Sequence, residues 1–244
     1  MALVDYGIDA PKEQQNFLWR GATFFALGLG VFFMNRNEYP GPAGALFGVL
    51  GLIGLVFLSL GGLWYWTSRN GKLKLRDDII AGLDLKGDEK VLDVGCGRGL
   101  LLIGVAKKLT SGKGRATGVD IWSAEDLSGN TKEAALANVK AEGLSADKVK
   151  IETADATALP FEAGSFDVVV SAICLHNIPG AEGRAKAISD IYKVTKPGGK
   201  IAIYDLAKVG EYTARLRELG AGEVVESGLS YGVIPGKIVR AKKA

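Results

Sequence analysis

Two stretches of this chain show no polar periodicity. Phe17–Met34 is apolar except for Arg20 and Thr23, and Ala43–Trp66 runs for 24 residues without a charge. As helices they would span about 27 Å and about 36 Å, against a bilayer hydrocarbon core of about 30 Å. Asn35–Pro42 between them has the composition of a turn. Trp64, Tyr65 and Trp66 close the second stretch as interfacial aromatics would. Arg20 lies one turn inside the first, where its head can reach the lipid headgroups. The pattern predicts a polar segment over 1–16 and then a transmembrane hairpin over 17–66, with spans at 17–34 and 43–66. A buried helix pair in a soluble protein fits less well, because an uncharged run of this length is rare in soluble cores. A cleaved signal peptide also fits poorly: three acids and one lysine precede the first span, and a second span follows at once.

From Lys90 onward the pattern changes to short apolar strands alternating with helices. Strands are expected at Lys90–Val94, Arg115–Asp120, Val149–Thr153, Phe166–Ser171 and Lys200–Asp205, with two more at Glu223–Ser227 and Ile238–Ala241 after a Pro235-Gly236 turn. Helices are expected at Leu100–Leu109, Thr131–Glu142 (with Asn130 and Glu133 as a capping box), Ala185–Val194 and Tyr212–Leu219. Alternation of this kind means a mostly parallel sheet covered on both faces. One α/β domain is expected over 85–244. Residues 67–84 read as a basic amphipathic linker, with Leu73, Leu75, Ile79, Ile80 and Leu83 on one helix near the membrane or against the domain.

Charge and composition add orientation. Arg69, Lys72, Lys74 and Arg76 crowd the exit of the second span, whereas the hairpin turn holds Arg36 alone. The positive-inside rule then places the N-terminus and the large domain in the cytoplasm, with the basic cluster near anionic headgroups. Ala22, Ala26 and Gly30 form one small-residue stripe, and Gly44 and Gly48 another. These would let the two helices pack closely or let two copies form a homodimer. A net charge of +3 is too mild to imply nucleic acid. Two distant cysteines and one histidine give neither a disulfide framework nor a zinc site, so no metal is expected.

The chemistry centres on Val91–Gly99, a strand running into the glycine turn Gly95-Cys96-Gly97-Arg98-Gly99 with a helix behind it. Glycine permits sharp turns and close ligand approach, and the helix end offers free N–H groups. Asp120 ends the second strand, where a carboxylate can accept ribose hydroxyls. Asp155 follows the third strand and can receive an adenine amino group. Together with Gly118-Val119-Asp120, Asp155-Ala156…Leu159-Pro160-Phe161, Phe166–Val170 and Lys196–Lys200, this series resembles the class I S-adenosylmethionine-dependent methyltransferases over about residues 85–244. Among them it looks most like the small-molecule branch that includes ubiquinone and menaquinone pathway enzymes. The resemblance implies a Rossmann-like seven-stranded methyltransferase sheet ending in an antiparallel hairpin, here preceded by two transmembrane helices. It implies S-adenosyl-L-methionine as cofactor. Gly95, Gly97 and Gly99 would make room for its methionine part, and Asp93 would orient the ammonium. Asp120 would hold the ribose, Ile121 would pack on adenine, and Asp155 would meet the adenine amino group with Ala156 beside it. Asp167 reads as a structural loop cap.

The loop after the fourth strand, Ser171–Pro179, faces the methyl group in this family. His176 lies there, either as a base toward the acceptor or as a packing residue. The expected function is a membrane-anchored methyltransferase acting by in-line displacement on a small lipophilic acceptor that arrives from the bilayer, with Lys72–Leu83 forming part of a lid. Two other readings stay open: a non-catalytic S-adenosylmethionine-binding membrane scaffold, and an NAD-dependent oxidoreductase. The resemblance does not identify the acceptor.

Overall fold

The computed structural model describes residues 4–231 and 234–244. Helix α1 (Pro11–Asn35) and helix α2 (Pro40–Trp66) form an antiparallel hairpin. Both start on proline, whose fixed φ and missing N–H suit a first turn, and this draws α1 back from Phe17 to Pro11. The helices meet through Gly21, Gly28, Gly54 and Gly61. A Cβ at Gly54 would stand 2.9 Å from the Gly21 carbonyl, and one at Gly61 would stand 2.7 Å from Leu18. Of the expected small-residue stripes, Gly30, Gly44 and Gly48 have no neighbour within 4 Å, so they do not form this contact. The close approach follows a seven-residue spacing, which returns to the same helix face better than the four-residue spacing read from the sequence.

A π-helical turn at Thr67–Gly71 carries α2 into α3 (Lys72–Ala81), giving one continuous helix from Pro40 to Ala81. α3 is no lid. Leu75, Ile79, Ile80 and Leu83 are buried in the domain core against Leu101, Leu102 and Val105. The basic cluster is also neutralised within the protein. Arg69 pairs with Asp5 at 3.2 Å, Lys72 with Asp9 at 3.6 Å, Lys74 with Asp78 at 2.5 Å and Arg76 with Asp77 at 2.8 Å.

The domain is a seven-stranded sheet of order β3-β2-β1-β4-β5-β7-β6. Its strands are β1 (Lys90–Val94), β2 (Arg115–Asp120), β3 (Val149–Thr153), β4 (Phe166–Ala172), β5 (Thr195–Asp205), β6 (Gly222–Tyr231) and β7 (Ile234–Lys242). β1 to β5 are parallel, and β7 runs antiparallel to both β5 and β6. Helices α3, α4 (Leu100–Lys108) and α5 (Lys132–Ala141) cover one face. Helices α6 (Gly180–Val194) and α7 (Val209–Glu218) cover the other. Order reverses between β1 and β4, so the cleft at their C-terminal ends is where an open sheet of this kind binds ligands.

Two local expectations change. Pro235-Gly236 is not the turn but part of β7, opposite Ser230 and Leu229. β5 ends opposite Lys237, so Pro235 has a partner strand on one side only, where proline is tolerated. The cap of α5 is Thr131, whose Oγ accepts from the Ala134 N–H at 3.1 Å. Asn130 is turned inward instead. Gly143, at φ +73°, ends that helix as expected: its N–H reaches Lys140 O, and the Leu144 N–H reaches Val139 O.

Candidate functional site

The glycine turn sits at the end of β1, over the start of α4. Gly95, Gly97 and Gly99 all have positive φ, at +74°, +52° and +86°. A Cβ on Gly95 would run into the Cys174 thiol, so the turn needs glycine there for space as well as for conformation. Asp93 points from β1 toward α4 and is 2% exposed. Its Oδ2 has no partner among the described residues. Burial, with the charge of Asp120 beside it, pushes the Asp93 carboxyl up to about 8, against a weaker pull from the Leu102 N–H.

Asp120 ends β2 on the other side of the turn. Its Oδ2 accepts from the Gly97 N–H at 2.8 Å, and its Oδ1 accepts from the Trp122 N–H at 2.6 Å and Asn130 Nδ2 at 3.2 Å. Three acceptor positions are filled by the protein, which leaves one open on Oδ2. Next to it, Ile121 is 64% exposed, an apolar side chain left uncovered at the cleft. Trp122 turns away, with Nε1 donating to Thr153 Oγ1, and fills the gap between the β2 and β3 ends. Asp155 is exposed past β3, and its Oδ1 accepts from the Thr157 N–H; Ala156 packs against the neighbouring core. Asp167 lies at the opposite end of the sheet and binds the Lys90 N–H and Lys196 Nζ, a structural role.

His176 stands in a short 3-10 turn (Leu175–Asn177) after β4. Its Nδ1 edge lies against the Asp205 carboxylate, and its backbone N–H donates to Asp205 Oδ2 at 3.0 Å. Asp205 is fully buried at the end of β5 and also accepts from Tyr212 OH at 3.1 Å and the Leu206 N–H at 2.9 Å. Burial opposes a charged His176. The hydrogen bond and charge of Asp205, with the charge of Asp126, outweigh it and raise the imidazole above its ordinary value. About a quarter of the side chain stays open to the cleft.

Around Cys174 the acids converge. Burial raises its thiol most, and the charges of Asp120, Asp205, Asp93 and Asp126 raise it further. Asn130 Oδ1 is a second buried oxygen without a partner among the described residues. Acceptors predominate, and they suit a ligand that brings positive charge and hydroxyl donors. S-adenosylmethionine, with a sulfonium, an ammonium and a ribose diol, matches that set. Sequence reasoning missed Asp205, Asp126 and Asn130. The signal for Asp205 was present, since Ile201–Asp205 is an apolar strand ending on an acid, as Gly118–Asp120 is.

Comparison with known proteins agrees. Residues 91–199 match the family described as a methyltransferase domain. A sterol 4-C-methyltransferase of Caenorhabditis elegans is 37% identical over 134 residues, covering 55% of this chain and 36% of that protein. A demethylmenaquinone methyltransferase of Lactobacillus johnsonii is 32% identical over 134 residues, covering 54% of this chain and 50% of that one. The chain spans about half the length of the curated relatives it matches. A solved S-adenosylmethionine-dependent methyltransferase from Aquifex aeolicus shares the fold at a TM-score of 0.57 and 20% identity, covering 72% of this chain and 94% of that one. Residues 91–199 thus match a methyltransferase domain, on a fold shared with a solved S-adenosylmethionine-dependent methyltransferase. A ubiquinone/menaquinone biosynthesis C-methyltransferase of Rhizobium etli is 30% identical over 136 residues, covering 55% of this chain and 48% of that one.

Proposed function

We propose that this protein is a membrane-anchored methyltransferase that passes the methyl group of S-adenosylmethionine to a small lipophilic acceptor. The observation that carries the reading is the set of four carboxylates around Cys174 beside the glycine turn: Asp93, Asp120 and Asp205 on the strands and Asp126 in the loop after β2. Bound there, the cofactor supplies a sulfonium-activated methyl group. Asp93 would receive its ammonium and regain a partner for Oδ2. Asp120 would hold the ribose through its open Oδ2 position, with Asn130 Oδ1 beside it. Ile121 would cover adenine, Asp155 would meet the adenine amino group, and Gly95, Gly97 and Gly99 would leave room for the methionine chain. His176, its Nδ1 held by Asp205, would present its other ring nitrogen to an acceptor proton. The protein's main contribution is alignment.

The anchoring rests on two helices long and apolar enough to cross a membrane. Their large side chains point outward: Phe33, Val49, Leu52, Leu55 and Val56 are all at least half exposed. The domain ends of the hairpin meet the cleft rim, since Trp64 Nε1 donates to Asp9 O and Asp9 bridges Leu127. An acceptor dissolved in the bilayer would thus arrive near the cofactor. The relatives named for a sterol and for demethylmenaquinone support an acceptor of that character. The N-terminus and domain would share the cytoplasmic side.

The test is radiolabelled methyl transfer from S-adenosylmethionine to a lipid extract, by the intact chain in nanodiscs. A variant with residues 18–61 replaced by a short Gly-Ser linker keeps both hairpin ends, because Leu18 and Gly61 are in contact. The reading expects label in the organic phase with the intact chain and a large drop with the spliced one. Equal labelling by both would remove the role of the membrane. Labelling by neither, with cofactor binding intact, would favour a non-catalytic scaffold.

A further inference from the structure

Residues 5–10 precede the first helix and leave the hairpin altogether. They lie as a strap across the domain and touch both walls of the cofactor cleft. On one wall, Asp5 pairs at 3.2 Å with Arg98, the residue between Gly97 and Gly99. On the other wall is the loop that follows β2. There the Ser128 N–H donates to Ile8 O at 2.9 Å, and the Ile8 N–H donates to Ser128 Oγ at 2.7 Å. The Ala10 N–H donates to Asp126 O at 2.8 Å, and Asp9 bridges Leu127. Leu127 stands over the glycine turn: a Cβ on Gly97 would lie 2.9 Å from its Cδ2. Gly7, at φ +74°, lets the strap settle on Leu127, since a Cβ there would lie 2.8 Å from both Leu127 Cδ1 and Ser128 O.

Two buried side chains fasten the strap. Asn138 of α5 accepts from the Asp5 N–H at 3.1 Å and donates to Asp5 O at 2.8 Å and Arg98 O at 2.9 Å. One amide thus joins strap and glycine turn. Lys72 of α3 donates to Tyr6 O at 2.8 Å and Gly7 O at 2.6 Å, and pairs with Asp9. Nothing in the chemistry of methyl transfer calls for either residue. Both are polar and buried, and they spend their hydrogen bonds on Asp5, Tyr6 and Gly7 of the strap and on Arg98 of the glycine turn.

We propose that the strap, residues 5–10, positions the cofactor site: held by Asn138 and Lys72, it fixes Arg98 and Leu127 and so orders both walls of the cleft before the cofactor arrives. This rests on the S-adenosylmethionine reading above. The wall 95–99 is tied to β2 through the Gly95, Cys96 and Gly97 N–H groups, whereas the loop 123–130 is held, besides the strap, mainly by Asn130 and by Arg98 on Ser128 O. Ordering them in advance removes an entropic cost that binding would otherwise carry. The strap passes into α1 at Pro11, so the same segment joins the hairpin to the cleft.

The test uses the full chain in nanodiscs and titrates S-adenosylhomocysteine by calorimetry. Asn138→Asp keeps the side-chain shape and the acceptor for Asp5 but loses both donors. Its Kd is expected to rise about tenfold, as for two lost neutral hydrogen bonds. Hydrogen exchange should speed up in 5–10 and 123–130 and stay unchanged in β4. Lys72→Met, a second route to the same release, should shift Kd in the same direction. Arg215→Ala removes bonds to Ser189 and Glu218 on the other face and should lower the melting temperature without moving Kd. A merely structural strap would make all three variants behave like Arg215→Ala. Unchanged Kd in both strap variants, with faster exchange at 5–10, overturns the proposal alone. No binding by the parent chain overturns the cofactor reading and the proposal with it.

Discussion

Glycine brings atoms close together in two regions of this molecule, by different means. In the hairpin, Gly21, Gly28, Gly54 and Gly61 sit in ordinary helical backbone, and each is small because the other helix lies against it. In the turn after β1, Gly95, Gly97 and Gly99 lie at positive φ, and the backbone itself takes a path that other residues resist. A methyl group added in the hairpin pushes two helices apart. A methyl group added in the turn also strains the chain that forms the cleft. The surroundings differ as well. The hairpin turns Leu52, Leu55 and Phe33 outward, whereas the domain buries its leucines and valines between sheet and helices. The hairpin leaves large apolar side chains on its outer surface, and the turn leaves open backbone beside the strand ends.

The largest effect that separates the two regions belongs to Gly95→Ala. Positive φ costs an alanine about 1–2 kcal/mol, and forcing its Cβ onto Cys174 costs a further ~1–3 kcal/mol. Denaturant unfolding should show a loss of about 2–5 kcal/mol, and S-adenosylhomocysteine binding should vanish. Adding Cys174→Ala should recover the packing part and leave the strain. Full recovery would mean that conformation does not matter at Gly95. Next comes Gly54→Ala, whose Cβ meets the Gly21 carbonyl at 2.9 Å. It should weaken the hairpin by roughly 1–3 kcal/mol, read as loss of a Leu18–Gly61 cysteine cross-link, with cofactor affinity unchanged. Gly48→Ala, facing open space, should change neither. If Gly48→Ala disrupts assembly instead, the stripe read from the sequence serves a contact between copies.

The smallest effect is a pH shift at His176. Its folded pKa lies above 6.5, so the protonated imidazole favours the fold. That contribution is complete below pH 6.5 and fades as pH rises through the folded value. Asp205→Asn should move the titration down toward or below 6.5. The chain has one histidine, so its imidazole NMR signal is unique. If His176 serves as base, methyl transfer should rise with pH along the same curve in each variant. A titration that ignores Asp205→Asn would break the pairing between them.

How far the sequence went differs between the regions for physical reasons. β1, β2 and β3 fall on the expected residues: β1 is a nearly continuous buried run, and edge strand β3 alternates buried Val149 and Ile151 with polar neighbours. The two long apolar helices were legible from length and composition. Their contact face was not, since in an apolar helix every face looks alike and several glycines compete. Pro235-Gly236 read as a turn because local propensity does not reveal that one side of β7 lies open. At the site, the glycines and the placing of Asp93, Asp120 and Asp155 at strand ends were visible as a motif. Asp126 and the strap were not, since they matter through contacts distant in sequence such as Asp9 with Tyr231 and Asp5 with Arg98; Asp205 was visible as a strand-end acid, but its pairing with His176 was not. The pairing of Arg69 and Lys72 with Asp5 and Asp9 was hidden for the same reason, since those acids precede the first helix and meet the end of the second only once the hairpin forms.

The account rests most on buried Asp93, whose Oδ2 has no partner among the described residues, meeting a cationic cofactor, and calorimetry tests this directly. Without ligand its pKa is about 8, raised from 3.8, so at pH 7 the carboxyl is mostly protonated. An arriving ammonium favours the carboxylate, so binding should release a proton. S-adenosylmethionine titrated into the full chain at pH 7, in two buffers of different ionisation enthalpy, should bind with release approaching one proton, while NAD gives no heat. Asp93→Asn should abolish the release and weaken binding by about tenfold or more. Binding without proton release in the parent chain, or heat from NAD in place of S-adenosylmethionine, would contradict it.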